Sequence, residues 1–494
     1  MKKILYIGIA VLLTGFFYSC ESFLDTKSTD TYNEANWWQT ESQAISSING
    51  CYAVLRSSGI YNYREDNLTP NSYGMSSEIQ LAQGEHNSSN YDYFLGCWDV
   101  NYRGIGRVNT LLDNIDRVQM TESIKERIRA EGYFLRALFY SNLVNYFGGV
   151  PLILESPNFV KQGNLPRNSR EEVITQVLKD LDNAASVLPV SYTGSDIGRA
   201  TKGAALGLKT RVLLYNNRWS EAATIAKSVM DLNYYTLFSD YRGLFYPENE
   251  NNKEVIFDVQ YSSPDYTSSM DIGIESQMGT SPTLDLVNSY LMKDGKSIQE
   301  SPLYNPATPY ENRDPRLLQT VVIPGYLYLG RIVPDGKYYS TEFGYKKYTS
   351  YKDDKAEPQN SKTEINYILL RYADILLMYA EAQNEATGPD ASVYDALHKI
   401  RLRAGMPDIT GGLSKDQLRD AIRHERRIEL ASEALYYNDI RRWRTAEVVN
   451  NGNVLSRLGK VVQIRIFNPQ KDYLWPIHDI TMQENPALVQ NPGY

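Results

Sequence analysis

The stretch "NNRWSEAATIAKSVMDLNYY", residues 216–235, carries the pattern that decides the fold. Apolar and small side chains recur there at helical spacing, on one face: Trp219, Ala222, Ala226 and Val229. Alanines on that face let a second helix approach closely. Residues 200–231 therefore predict two helices joined by a tight turn, with small-residue packing and an aromatic pair after the second helix, as in a tetratricopeptide hairpin.

The same organisation recurs elsewhere in the chain. Residues 367–403 predict a second helix pair, divided at Gly388 and Pro389, and residues 124–188 and 414–443 are further candidates. The repeats are irregular in length and sequence. The predicted fold is therefore mainly α, a tetratricopeptide-like helix-pair scaffold.

Start and stop signals place the remaining helices. Thr40 and Gln43 form a capping-box pattern at the start of a helix over residues 39–57, and Ser169 with Glu172 repeats it before a helix that ends near Leu188. Residues 97–119 and 124–147 also have helical periodicity. Two glycines and a proline after residue 147 predict the end of the second of these helices.

Two segments lack helical periodicity. Residues 58–93 are polar, aromatic and rich in turn residues, so they predict a long loop, and long ordered loops are usually functional. Residues 240–365 predict a large irregular, loop-rich insertion that packs against the helices. It contains two candidate strands, at 254–261 and 317–325.

The N terminus predicts export and lipid attachment. Two lysines precede an apolar run of about 14 residues, whereas a bilayer-spanning helix needs roughly 20. The run stops at Cys20, so residues 1–19 predict a lipoprotein signal peptide, Cys20 the lipid anchor, and residues 20–38 the anchor and tether. Phe17 and Tyr18 are bulkier than the usual lipobox, which leaves an ordinary signal peptide as the alternative. Residues 39–494 then form a single domain.

Composition excludes several classes of protein. A formal net charge of −8 argues against a nucleic-acid partner, and a mean hydropathy of −0.44 excludes a polytopic membrane protein. After Cys20, the chain has two further cysteines, Cys51 and Cys97. In an exported protein they form either a disulfide or two buried thiols, and the sequence leaves both open.

No motif for catalysis, metal or cofactor binding is present. The four histidines lack metal-ligand spacing, and there is no phosphate-binding loop or nucleophile elbow. Glu425, Glu429 and Asp439 lie among arginines at helical spacing, which favours a structural ion-pair network over an active site. The 39 tyrosines, against 13 phenylalanines and 6 tryptophans, suit a recognition surface better than acid–base chemistry. We therefore expect that the protein is not an enzyme.

Six blocks in order along the chain resemble the SusD/RagB family. They are 129–153 (RAEGYFLRALFYSNLVNYFGGVPLI), 311–317 (ENRDPRL), 367–385 (YILLRYADILLMYAEAQNE), 401–407 (RLRAGMP), 424–443 (HERRIELASEALYYNDIRRW) and 474–494 (LWPIHDITMQENPALVQNPGY). Two positions depart from the family pattern: Ala434-Leu435-Tyr436 replaces a glycine followed by a basic or aromatic residue, and His478 replaces a proline.

The resemblance implies a non-enzymatic lipoprotein on the surface of the Bacteroidetes outer membrane. Such a protein captures a nutrient, most often an oligosaccharide or polysaccharide, and delivers it to a SusC-like TonB-dependent transporter that it covers as a lid. The main alternative is the same architecture capturing peptide or another non-glycan nutrient. A surface glycosidase is a third possibility, which would need paired carboxylates in a cleft.

The expected ligand-binding residues combine aromatic platforms with polar groups. The first choices are Trp98 and Asn101, which share a helix face in a neighbourhood where glycan-binding relatives place contacts. For Trp98 the alternative is a core position beneath the loop, and for each tyrosine a packing role. The further candidates are Asp66, Asn67 and Tyr73 from the loop, and Tyr304, Tyr310 and Tyr326 from the insertion.

Overall fold

The computed structural model describes residues 37–75, 78–90, 92–357 and 362–494. The predicted signal peptide, the Cys20 anchor and nearly all of the tether lie outside the described residues. Within them, seventeen α-helices are present. They are α1 Glu41–Tyr52, α2 Glu78–Ala82, α3 Tyr93–Asn114, α4 Glu122–Phe147, α5 Phe159–Gln162, α6 Arg170–Val187, α7 Lys202–Tyr215, α8 Trp219–Met230, α9 Met270–Glu275, α10 Leu284–Ser289, α11 Arg316–Thr320, α12 Tyr372–Thr387, α13 Ala391–Ala404, α14 Lys415–Glu429, α15 Tyr436–Arg442, α16 Ala446–Val449 and α17 Asp479–Glu484.

The strands are short and pair only two by two. They are β1 Ser72–Tyr73, β2 Val255–Val259, β3 Ser281–Pro282, β4 Val321–Val322, β5 Leu327–Tyr328, β6 Arg331–Ile332, β7 Gly344–Tyr345, β8 Tyr367–Arg371, β9 Gly452–Leu455 and β10 Val461–Arg465. Every pair is antiparallel: β1 with β3, β2 with β8, β4 with β7, β5 with β6, and β9 with β10. None of these ribbons is large enough to form a core alone, so they depend on the helices.

The long helices pack side by side in a row that follows the chain. Helix α3 packs on α4, α4 on α6, α6 on α7, α7 on α8, α8 on α12, and α12 on both α13 and α14. Small residues set the close approaches. A Cβ on Gly104 of α3 would lie 2.5 Å from the Phe139 ring of α4, so only glycine fits there. The prediction of a mainly helical fold is confirmed.

Local signals predicted the helix ends well. Both predicted capping boxes form, at Thr40 with Gln43 and at Ser169 with Glu172. Gly148 ends α4 with a φ of 77°, a conformation that a residue with a side chain rarely adopts. The prediction of a loop over residues 58–93 was incomplete. That segment contains a 3₁₀ turn at Tyr63–Leu68, strand β1 and helix α2, and it leads directly into α3.

The insertion is joined to the helices by strand pairing. The predicted strand at 254–261 is confirmed as β2, and its partner is β8, which the sequence predicted as the start of a helix. The predicted strand at 317–325 is largely wrong, because residues Arg316–Thr320 form α11 and only Val321–Val322 pair as β4. Tertiary pairing with β7 decides where that helix stops.

A buried ionic network holds the insertion on the helices, as the carboxylates of α14 suggested. Arg371 of β8 binds Glu429 and Glu433, each at 2.7 Å, and Arg316 of α11 binds Glu429 at 2.9 Å. Although burial raises the pKa of Glu429, the charges of Arg403, Arg371 and Arg316 hold it below its ordinary value. Most of these arginines come from other elements, and not from helical neighbours as the sequence suggested. The network is structural.

The two cysteines within the described residues are free and buried, which decides between the two alternatives left open by the sequence. Burial raises the pKa of the Cys51 thiol to about 12, so the thiolate that would react or bind metal is disfavoured. Among the helices in the described ranges, none has the length and apolar content needed to cross a bilayer.

Candidate functional site

The two first-choice residues are core residues of the domain. Trp98 is 7% exposed, and its ring packs on Tyr102 at 5.1 Å and edge-on to Phe147 at 5.2 Å. Asn101 is fully buried, and its amide donates to the carbonyl oxygen of Cys97 at 2.7 Å. The expectation that both face a ligand is corrected, because their side chains are enclosed by α4 and by the segment before α3.

Asp66 and Asn67 are also enclosed, within the 3₁₀ turn at Tyr63–Leu68. The Asn67 amide donates to the carbonyl oxygen of Gly279 at 2.8 Å, which ties the turn to the insertion. Burial raises the pKa of Asp66 to about 7, although neighbouring amides and Lys347 oppose the rise. These residues support the surface from below and do not form it, so this expectation is corrected too.

Tyr73 remains accessible, and β-pairing carries it to the insertion. Strand β1 pairs with β3, placing Tyr73 opposite Ser281. Beneath it, the hydroxyls of Ser72 and Tyr345 are 2.5 Å apart, and Tyr345 belongs to β7. The loop and the insertion, which are about 200 residues apart in sequence, therefore form one surface here.

Two of the three predicted tyrosines of the insertion pack together. The rings of Tyr310 and Tyr326 are 6.2 Å apart between centroids and nearly perpendicular, and Tyr310 packs in the same way on Phe343 at 6.3 Å. Both tyrosines are partly exposed. Tyr304 is partly exposed as well, and it lies near the buried Arg313 guanidinium, whose pKa burial lowers.

Two exposed residues that the sequence did not single out complete the surface. Tyr339 is 62% exposed and lies next to Tyr73, whose pKa is raised by partial burial and by Tyr339. Met75 is 54% exposed, and the Ser340 hydroxyl donates to its sulfur at 3.9 Å. Residues 339–343 thus run between the Tyr73 side and the Tyr310 side.

Charged groups border these rings. Arg457, in the turn between β9 and β10, binds Asp335 at 2.5 Å and Glu342 at 3.1 Å. Its backbone amide donates to Thr341 at 2.8 Å, which fixes the turn against the 339–343 segment. The guanidinium also lies against the Tyr310 hydroxyl, where it opposes the rise in pKa that burial causes.

We call this surface the aromatic face; it comprises Tyr73, Met75, Tyr310, Tyr326 and Tyr339, with Asp335, Glu342 and Arg457 at its rim. Aromatic rings with hydroxyl tips offer apolar contact and hydrogen bonds together. The rim carboxylates are already bound to one guanidinium. Within the described part of the chain, no group of three or more metal-ligating side chains is assembled. The exposed rings and the rim groups can offer stacking and hydrogen bonds to a ligand.

No local sequence signal distinguishes Tyr339 from the neighbouring tyrosines. In the run "KYYSTEFGY", residues 337–345 of the insertion, two tyrosines are adjacent among polar residues. These two tyrosines differ in exposure: Tyr338 is buried against Glu275, and Tyr339 is exposed. Which of the two faces solvent depends on tertiary packing, which the sequence does not show.

Family models match the chain in both halves. The model described as "SusD family" matches residues 248–494, and the model described as "Starch-binding associating with outer membrane" matches residues 22–214. Together they cover almost the whole chain after the predicted signal peptide.

Individual proteins give the same result. A SusD-like protein of Formosa agariphila is 24% identical over the full length of both chains. A solved structure of a SusD-like protein from Bacteroides fragilis is 29% identical, with a TM-score of 0.84 over 94% of this chain and 99% of that chain. A second B. fragilis structure, titled a SusD-like carbohydrate binding protein, is 26% identical, with a TM-score of 0.84 over 92% of this chain and 99% of that chain.

Proposed function

The chain belongs to the SusD family, and from this premise we propose that it is a lipid-anchored outer-membrane protein that binds a nutrient glycan. The observation that carries the proposal is the aromatic face. It combines exposed tyrosine rings with a guanidinium and two carboxylates, in a protein whose similar B. fragilis structure is titled carbohydrate binding.

The chemistry of that face suits a sugar. A pyranose ring has apolar C–H faces, which pack on the rings of Tyr339 and Tyr73, and hydroxyl edges, which meet the groups at the rim. Water competes for each hydroxyl, so affinity comes from several rings acting together and remains modest. A shallow, partly exposed face of this kind accepts a long chain more readily than a closed pocket does.

The glycan is held and passed on without cleavage. Asp335 and Glu342 bind the same arginine, so in this proposal they orient the Arg457 guanidinium at the rim. Delivery to a SusC-like TonB-dependent transporter, and attachment through a lipid on Cys20, belong to the same proposal. Membership of the family and the family description "associating with outer membrane" support both.

Affinity electrophoresis tests the proposal. The full-length protein in detergent is run through gels that contain one of a panel of neutral and acidic polysaccharides. Tyr339→Ala and Tyr73→Ala are compared with the original protein, and Tyr266→Ala is the matched control. Tyr266 is 54% exposed and packs on Arg56, and neither residue belongs to the aromatic face.

We expect retardation by at least one glycan, weaker in the two face variants and unchanged in the control. Equal retardation of all four proteins would show that the binding site lies outside the aromatic face. If no glycan retards the protein, while a peptide mixture gives saturable binding in calorimetry, the ligand is a peptide. Release of reducing sugar during incubation would contradict a role without catalysis.

A further inference from the structure

A separate cleft in the protein shares no residue with the aromatic face. It occupies about 460 Å³ between the C-terminal end of α4, the start of α6, the end of α7, helix α15 and residues 473–474. Five arginines line it: Arg167, Arg170, Arg441, Arg442 and Arg444. None of its described lining residues is an aspartate or glutamate, although the protein as a whole has a net charge of −8.

Two of these arginines are committed to the fold. Arg442 is paired with Glu381 and Asp439. Arg167 donates to the carbonyl oxygens of Phe147, Gly149 and Val489, so it closes the C-terminal end of α4. These contacts account for their positions without a ligand.

Arg170, Arg441 and Arg444 have no carboxylate partner among the described residues. Arg170 donates to the Val144 carbonyl at 2.9 Å and to the Asn216 side chain at 3.1 Å, through Nη1 and Nε. Its Nη2 group makes no hydrogen bond within the described chain. Neutral acceptors orient the Arg170 guanidinium, and no carboxylate of the described chain forms an ion pair with it.

The other two arginines also form no ion pair within the described chain, although the charge of Arg441 acts on the buried Glu65 carboxyl. Arg441 lies over the Tyr437 ring at 5.0 Å and donates to the carbonyl oxygen of Tyr473 at 2.7 Å. Arg444 is exposed, and its guanidinium lies 3.9 Å from the centre of the Tyr473 ring. The carboxylate at this rim belongs to Glu447, which accepts from the Tyr473 hydroxyl at 3.2 Å.

The arginines repel one another in this arrangement. The pKa of Arg170 is lowered by burial and further by the charges of Arg441 and Arg444, although Glu171 opposes the shift. Like charges gathered in a partly enclosed space create a strong positive potential that concentrates anions. Guanidinium groups also present their N–H donors in a planar fork that matches the oxygens of carboxylate, sulfate or phosphate.

The remaining lining residues favour a ligand larger than a bare ion. The side chains of Asn145, Asn217 and Asn438 add amide donors and acceptors, and Tyr473 with Leu474 supplies an apolar wall. A volume of about 460 Å³ lies within the range of about 300–1,000 Å³ that is typical of small-molecule sites. We propose that this cleft is a binding site for an oxyanion, namely a sulfate, phosphate or carboxylate group, carried by a small polar molecule such as an acidic sugar.

Calorimetric titration of the full-length protein in detergent tests the proposal with three probes: sodium sulfate, glucose 6-sulfate and glucose. The variants are Arg444→Gln, which changes an exposed side chain, and Arg170→Gln. The control is Arg117→Gln, an exposed arginine just before the start of α4, whose opposite end borders the cleft; it donates to Asn114. Circular dichroism and the thermal midpoint verify that each variant is folded.

We expect sulfate and glucose 6-sulfate to bind, and glucose not to. Each cleft variant should lose affinity by about tenfold, the loss expected when one charge-assisted hydrogen bond is removed, and the control should lose none. Tighter binding of glucose 6-sulfate than of sulfate identifies an acidic sugar as the source of the anion, and equal binding identifies the free ion. Absence of binding at tens of millimolar, or equal affinity in Arg444→Gln, would overturn the proposal. Because the aromatic face is untouched, this result is independent of the glycan panel.

Discussion

Replacing Glu65 with glutamine should make the protein more stable at alkaline pH. Glu65 is 3% exposed, and it accepts hydrogen bonds from the Tyr146 hydroxyl at 2.7 Å and the Tyr93 hydroxyl at 3.2 Å. Burial raises the pKa of its carboxyl group from 4.5 to about 7, although those two hydroxyls and Arg441 oppose the rise. The ionised side chain is therefore less favourable in the folded state than in the unfolded state.

The direction and size of this effect on stability follow from proton linkage. A raised folded-state pKa gives stability that is fully present below pH 4.5 and is lost as the pH rises through about 7. At pH 8 the loss amounts to about 3 kcal/mol, and at pH 5 to less than about 1 kcal/mol. Glutamine stays neutral, keeps an oxygen for Tyr146, and turns its amide group toward the Tyr93 hydroxyl, so it avoids the loss.

Urea unfolding at pH 5 and pH 8 measures the effect. The free energy of unfolding of Glu65→Gln minus that of the original protein should increase by about 2.5 kcal/mol between the two pH values. Any constant cost of the amide cancels in that comparison. Glu85→Gln, at an exposed position, should show no such increase. If this difference in the free energy of unfolding were equal at both pH values, or larger at pH 5, ionisation of Glu65 would not destabilise the folded state and the reasoning would be refuted.

Three further outcomes follow from burial. Trp98→Ala should lower the free energy of unfolding by about 3–5 kcal/mol, because it empties a core site; a loss of glycan binding with no loss of stability would contradict that position. Arg371→Met should cost about 3–5 kcal/mol, because it leaves the buried carboxylate of Glu429 with one partner fewer; urea unfolding measures it, and an unchanged midpoint would contradict the role of the ionic network. Cys51 and Cys97 should react with a thiol reagent only after unfolding, since both are 1% exposed; rapid labelling of the folded protein would show otherwise.

The helical scaffold could be predicted from sequence because its signals are local. Helical spacing, the capping boxes at Thr40 and Ser169, and the glycines after Phe147 each act within a few residues. Strand β8 was missed because residues 367–371 are apolar in a way that suits either a strand or a buried helix, and pairing with β2 decides between them.

The site was harder to predict because exposure is a tertiary property. Trp98 and Asn101 combine the residue types expected of a sugar site, but α4 covers them. Tyr339 was overlooked because one tyrosine among 39 carries no mark of its own. Pairing of β1 with β3 brings Tyr73 beside it, and a contact between residues so far apart in sequence leaves no local pattern.

The proposed function requires a glycan to bind on the aromatic face. The most direct measurement is a crystal structure of the protein with the oligosaccharide repeat of whichever polysaccharide retards it. We expect a sugar ring packed on Tyr339 or Tyr73, with hydroxyls that reach Arg457 or Glu342. A sugar bound elsewhere, with both tyrosines in contact only with solvent, would contradict this placement of the site.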